Sequence, residues 1–139
     1  MKIGAFVPQG WRMDLNGIPI EDQWNTITKS AKNIEDLNYE SIWVYDHFHT
    51  VPQPTQDPTY ECWTLMSSLS QTTSRVRLGQ MCTCNSYRNP SYLTKVASNI
   101  DVMSGGRLEY AIGAGWYDHE YKAYGYEYPS AGVRLKMLE

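Results

Sequence analysis

Four short apolar runs, residues 2–8, 41–45, 76–81 and 108–112, recur along the chain at intervals of about 30 to 40 residues, each ending in polar or glycine-rich sequence. Between them the apolar residues follow a helical period. Trp24, Ile27, Ala31, Ile34 and Leu37 trace one face of a first helix. Cys62, Leu65, Met66 and Leu69 do the same over residues 61–72. A third helix starts at Pro90, where proline suits the first turn, and carries Leu93, Val96, Ala97, Ile100 and Met103. Gly105 and Gly106 stop it. A further helix begins near Gly132.

Strands alternating with helices predict βαβ units and a parallel sheet, in which both faces of each strand are covered and the strand reads as continuously apolar. Ile42-Trp43-Val44 and Tyr110-Ala111-Ile112 fit that pattern. Local pattern alone leaves an open doubly wound sheet and a closed barrel both standing. A barrel of eight βα units needs roughly 250 residues, so on the barrel reading these 139 residues form about four units, a half-barrel with two open sheet edges. With no repeat beyond the βα period and no linker-like tract, residues 1–139 are read as one domain.

Composition narrows the function classes. The chain is 42% apolar with a formal net charge of −3, so it has core-forming capacity and no basic excess to follow a phosphate backbone; nucleic acid is not an expected partner. The N-terminus shows neither a signal-peptide pattern nor an apolar stretch of membrane length. Three cysteines, an odd number, argue against a disulfide framework and for a reducing cytoplasm.

In a parallel barrel the loops leaving the C-terminal ends of the strands build the active site. Here they read Pro8-Gln9-Gly10-Trp11, Asp46-His47-Phe48-His49, a third from Cys82 to Pro90, and Gly113-Ala114-Gly115-Trp116. Asp46 next to His47 at a strand end could fix the imidazole for proton transfer near neutral pH, or the two could form a structural cap. His47-x-His49 has the spacing of a metal pair. A catalytic metal needs about three protein ligands, and the other histidine, His119, is read with Asp118 and Glu120 as a solvated helix face, so no metal is expected. Cys82 and Cys84 are too close for a Cys-x-x-Cys site and read as packing residues. Asp118 stands where a dinucleotide fingerprint needs its third glycine. The Gly113–Trp116 loop either admits a bound ring to the backbone or is a plain strand-to-helix turn.

Six ordered segments resemble the luciferase-like monooxygenases over the whole chain: Met1 to Gly10, Ile42-Trp-Val-Tyr-Asp-His-Phe, Arg77-Leu-Gly-Gln-Met, Tyr87-Arg-Asn-Pro, Asp101-Val-Met-Ser-Gly-Gly-Arg-Leu and Gly113-Ala-Gly-Trp. The resemblance implies a (β/α)₈-type fold and hydride transfer between a cofactor and a small organic substrate, the cofactor doing the chemistry and the protein orienting it. It is nearest the branch that uses the deazaflavin F420, with FMN as the alternative. It implies a ring across the barrel mouth against Met81, Cys82, Cys84, Asn85, Gly113, Gly115 and Trp116, with a non-proline cis peptide near Met81 and Cys82. By the same resemblance His47, supported by Asp46, is the catalytic residue. Some relatives carry a glutamate acid where this chain has Trp116, which puts that acid's mechanism in doubt here. Phosphate-binding elements are expected in later strands, so affinity for the cofactor should be reduced. Two readings of the chain follow: an incomplete oxidoreductase, or a non-catalytic scaffold. In either, copies are expected to pair as a homodimer or higher oligomer through the open edges, covering Ile42, Val44 and Ile112.

Overall fold

The computed structural model describes all residues, Met1–Glu139. Strands β1 (Gly4–Phe6), β2 (Ser41–Val44), β3 (Arg77–Gln80) and β5 (Leu108–Glu109) form a parallel sheet in that order, with Ala5 opposite Ile42, Ile42 opposite Leu78 and Leu78 opposite Leu108. Two short strands, β4 (Thr83–Cys84) and β6 (Ile112–Gly113), pair in parallel as a second, two-stranded sheet. Helices α1 (Ile20–Asp36), α2 (Cys62–Thr72) and α3 (Pro90–Ser104) connect the main strands, and α4 (Asp118–Tyr124) and α5 (Ala131–Lys136) follow.

The third and fourth strand positions of the βα series are thus each occupied by two short strands, β3 with β4 and β5 with β6. The reason is a register change: Gly79 opposes Glu109 but Thr83 opposes Ile112, so the third strand carries one extra residue across the gap. That is a β-bulge, which bends a strand and re-aims its side chains. It contains the cis peptide Met81–Cys82, where the resemblance put one.

Ile42, Val44 and Leu78 do not face the open side of the sheet. They are buried against the helices in one cluster with Ile27, Leu65, Met66, Leu69, Leu93 and Ile100. The alternation of a strand sends Trp43 to the other, concave face. There its indole lies so close to Gly4 and Gly79 that a Cβ on either would fall 2.4 or 2.3 Å from it, so both positions require glycine. The apolar side chains left exposed include Phe6, Met81, Tyr110 and Ile112. On α1, Ile27 and Ala31 are buried with Gln23, while Trp24 and Leu37 are exposed.

Caps set the helices that aim the mouth. Glu61 accepts from the amides of Trp63 and Thr64 at the start of α2, and Asn89 accepts from Ser91 and Tyr92 at the start of α3. Gly105, at φ 72°, ends α3 in the left-handed conformation that glycine adopts without cost.

Candidate active site at the barrel mouth

The second, third and fourth loops at the C-terminal ends of the strands meet around a cleft of about 300 Å³, and the first reaches it through Trp11, stacked on His47. Among the residues singled out from sequence, Asp46, His47, Met81, Cys82, Cys84, Gly113, Gly115 and Trp116 all line it. Asn85 does not; its side-chain amide donates to the carbonyl of Met137 at 2.6 Å and so holds the end of the chain against the third loop.

His47 is gripped on several sides. Trp11 stacks on its ring at 4.3 Å and 2°, and Trp116 and Tyr117 approach edge-on at 5.6 and 5.9 Å. Its Nδ1 lies 2.8 Å from Oε2 of Glu120. Glu120 is fully buried, and the same oxygen accepts from the Tyr87 hydroxyl at 2.8 Å. Its other oxygen accepts from the amides of Phe48 and His49 at 2.6 and 2.9 Å. Burial opposes ionisation of this carboxyl, but the bonds from His47 and the two amides outweigh it and hold Glu120 below its ordinary range. An ionised carboxylate can only accept, so Nδ1 carries a proton. Nε2 makes no hydrogen bond within the chain and is left to serve the cleft. Burial pushes the Tyr87 phenol up, and the neighbouring carboxylate pushes it further, so it stays a donor.

The structure departs here from the sequence expectation: the carboxylate that orients His47 is Glu120 and not Asp46, and Glu120 is buried rather than on a solvated helix face. Asp46 accepts from the Cys84 amide at 2.8 Å and from both terminal nitrogens of Arg88 at 2.7 Å each. It ties the second loop to the third and does not bond His47. Arg88 also reaches Glu61 at 2.6 Å, so a bidentate, charge-assisted bridge locks the start of α2 to the mouth. Asp46, Glu61 and Cys62 lie within 4.8 Å of one another, as metal ligands would, but the Arg88 guanidinium bridges the two carboxylates. His119 is drawn in as well, its Nε2 2.7 Å from Nδ1 of His49. A legible signal for this helix existed: Tyr117, Tyr121 and Tyr124 recur at helical spacing beside Glu120.

The glycine loop has a structural reason for its composition. Gly115 sits at φ +72°, and a Cβ there would fall 2.1 Å from the Tyr121 hydroxyl and 2.6 Å from Cys84 Sγ. Gly113 backs onto Cys82, and a Cβ there would lie a tight 3.3 Å from the Cys82 Cβ. Both glycines therefore let the fourth loop close on the bulge, and in doing so they turn backbone toward the cleft. Cys84 is buried as a packing residue and its thiol is pushed up by burial, whereas Cys82 is exposed.

This composition fits a flat, largely uncharged ring. The cleft walls are aromatic side chains, sulfur and backbone, and no lysine or arginine lines it to hold a phosphate.

Fold and mouth together define a partial parallel (β/α) barrel whose C-terminal loops converge on a carboxylate-oriented histidine. The chain belongs to the luciferase-like monooxygenase family, whose model matches residues 1–136. It is 26% identical to the pyrimidine monooxygenase RutA of Serratia proteamaculans over 130 residues, which is 90% of this chain and 35% of that protein. An F420-dependent secondary alcohol dehydrogenase, solved with an F420–acetone adduct, superposes with a TM-score of 0.79 at 27% identity, over 98% of this chain and 38% of that one. The FMN-bound oxygenating constituent of 3,6-diketocamphane monooxygenase from Pseudomonas putida shares the fold, with a TM-score of 0.76 at 18% identity over 99% and 36% of the two chains. The chain thus spans little more than a third of the length of these relatives. No helix in it is long and apolar enough to cross a membrane.

Proposed function

We propose that residues 1–139 form one domain that supplies the histidine-bearing side of the mouth of an F420-dependent oxidoreductase, moving hydride between deazaflavin and a small organic substrate. The observation that carries this reading is the His47–Glu120 pair at the wall of a ring-sized cleft lined by no lysine or arginine, in a chain 27% identical to an F420-dependent alcohol dehydrogenase. The deazaflavin, when bound, supplies the hydride chemistry. The protein's part is to hold Nε2 of His47 toward the substrate oxygen, where it donates or accepts a hydrogen bond as charge develops. Glu120 fixes the ring's orientation, Trp11 fixes its plane, and Trp116 screens the cleft from water. FMN is the second reading, supported by the shared fold with the FMN-bound oxygenating constituent of 3,6-diketocamphane monooxygenase.

Copies of the chain associate through the unpaired edges of β1 and β5, covering Phe6, Tyr110 and Ile112. This is supported by the exposure of those side chains on a sheet whose outer strands have no further partner in the chain. The three unpaired thiols support a cytoplasmic setting. Fluorescence titration of the purified chain with F420 and with FMN, beside a light-scattering mass, tests both points. Saturable binding of F420 by a dimer is the expected result. Saturable binding of FMN alone gives the second reading, and a dimer that binds neither gives a non-catalytic scaffold. A monodisperse monomer ends the edge-pairing reading.

A further inference from the structure

Beside the His47 cleft lies a second, more open groove of about 580 Å³, lined by Arg12, Val51, Pro52, Trp116 and Tyr117. The two spaces share Trp116, which stands 5.6 Å from His47 by one edge and stacks on Tyr117 at 5.1 Å and 22°. Tyr117 is itself anchored by its hydroxyl, which donates to the carbonyl of Thr50 at 3.1 Å. Arg12 is the one charged residue of the groove. Its guanidinium lies over the faces of Trp11 at 5.0 Å and Tyr45 at 5.8 Å, yet it forms no ion pair. Asp14, two residues on, is committed to the amides of Gln9 and Gly10 and leaves Arg12 free.

An arginine held by aromatic faces at the rim of an apolar groove, with no carboxylate of the chain paired to its fork, has the chemistry to take an anion on a planar body. Arg12 differs in this from Arg77 and Arg88, which are both spent on carboxylates of the chain. We infer that the Arg12 groove is a specificity subsite for a planar or aromatic ligand bearing a carboxylate or phosphate, with Trp116 and Tyr117 as its wall and the reacting end reaching into the His47 cleft. The inference deepens the proposed reading of the mouth and rests on it for the position of the reacting end. The anion could be carried by the substrate or by the cofactor's own phosphate.

The test needs no turnover and so stands apart from the cofactor titration. The indole Nε1–H signal of Trp116 in the ¹⁵N spectrum, assigned with Trp116→Phe, is followed during titration with benzoate and with its neutral analogue benzamide. Benzoate is expected to bind saturably and about tenfold tighter than benzamide, with Arg12→Gln abolishing that difference and Arg12→Lys restoring part of it. FMN and riboflavin are titrated in parallel. If Arg12→Gln weakens FMN more than riboflavin as well, the groove accepts the cofactor's phosphate; if FMN and riboflavin respond alike, the anion belongs to the substrate. Equal affinities for benzoate and benzamide, or a benzoate affinity that Arg12→Gln leaves unchanged, would overturn the inference.

Discussion

The two ends of the sheet are both rich in charge and use it in opposite ways. At the N-terminal end, Lys2 pairs with Glu40 and Arg77 with Glu109, all of them in reach of solvent. Glu35 there accepts from the amides of Ser74, Arg75 and Val76, and Arg107 donates to the carbonyls of Ser70, Thr73 and Val76. At the mouth, Asp46 and Glu120 are buried, and each carboxylate is saturated by partners from other loops. The lower end stitches neighbouring segments where water can replace any lost partner. The mouth holds charge out of water, so each group there depends on the others, and that interdependence fixes His47.

The sharpest way to break the contrast is to remove a cation from the mouth. Arg88→Ala leaves Asp46 buried without its guanidinium and is expected to cost about 3–5 kcal/mol in urea unfolding. A cost near that of an exposed pair would mean that water reaches Asp46. Leu78→Ala, on the helix-facing side of the same sheet, is expected to cost about 2–5 kcal/mol by the same assay, through the cavity it leaves. Together these two values place the mouth's electrostatics on the scale of the core.

Glu120→Gln should cost less, about 1–3 kcal/mol, because glutamine keeps the shape but presents an NH₂ where donors converge. Its pH dependence is the more diagnostic reading. The folded carboxyl sits below its ordinary value of 4.5, so its contribution to stability is complete above that pH and is lost as pH falls through the lower folded value. Wild type should therefore lose stability below about pH 4.5 more steeply than Glu120→Gln; parallel profiles would mean that Glu120 is not the ionised acceptor. The smallest effect belongs to the lower end, where Arg77→Gln should change stability by about 0.2–1 kcal/mol, diminishing further in salt. A larger loss there would erase the distinction between the two ends.

The same contrast explains what was legible in the sequence. The three main helices and the strands follow from periods within a dozen or so residues, and so does the gathering of strand-end loops at one mouth. The bulge was not legible in the local pattern, since one inserted residue leaves the apolar run of the third strand unbroken while shifting its register against the fourth; the family resemblance alone pointed to it, near Met81 and Cys82. Nor was the partner of His47. Glu120 lies 73 residues further along the chain, and Asp46, the adjacent acid, is claimed by Arg88 across 42 residues. Nothing local distinguishes a carboxylate that orients a histidine from one that ties two loops together. Tyr121, next to Glu120 and buried in α4, was the one local sign that this part of the helix packs inward.

The most direct test of the mouth is the ¹⁵N–¹H spectrum of the His47 imidazole, recorded on the chain alone and again with F420. With Glu120 as its acceptor, Nδ1 should carry a slowly exchanging proton in both spectra, and F420 should move the Nε2 resonance while leaving Nδ1 nearly unchanged. A proton on Nε2 with Nδ1 bare in the free chain, or an Nε2 signal unmoved by F420, would contradict an orientation set by Glu120 and directed at the cofactor cleft.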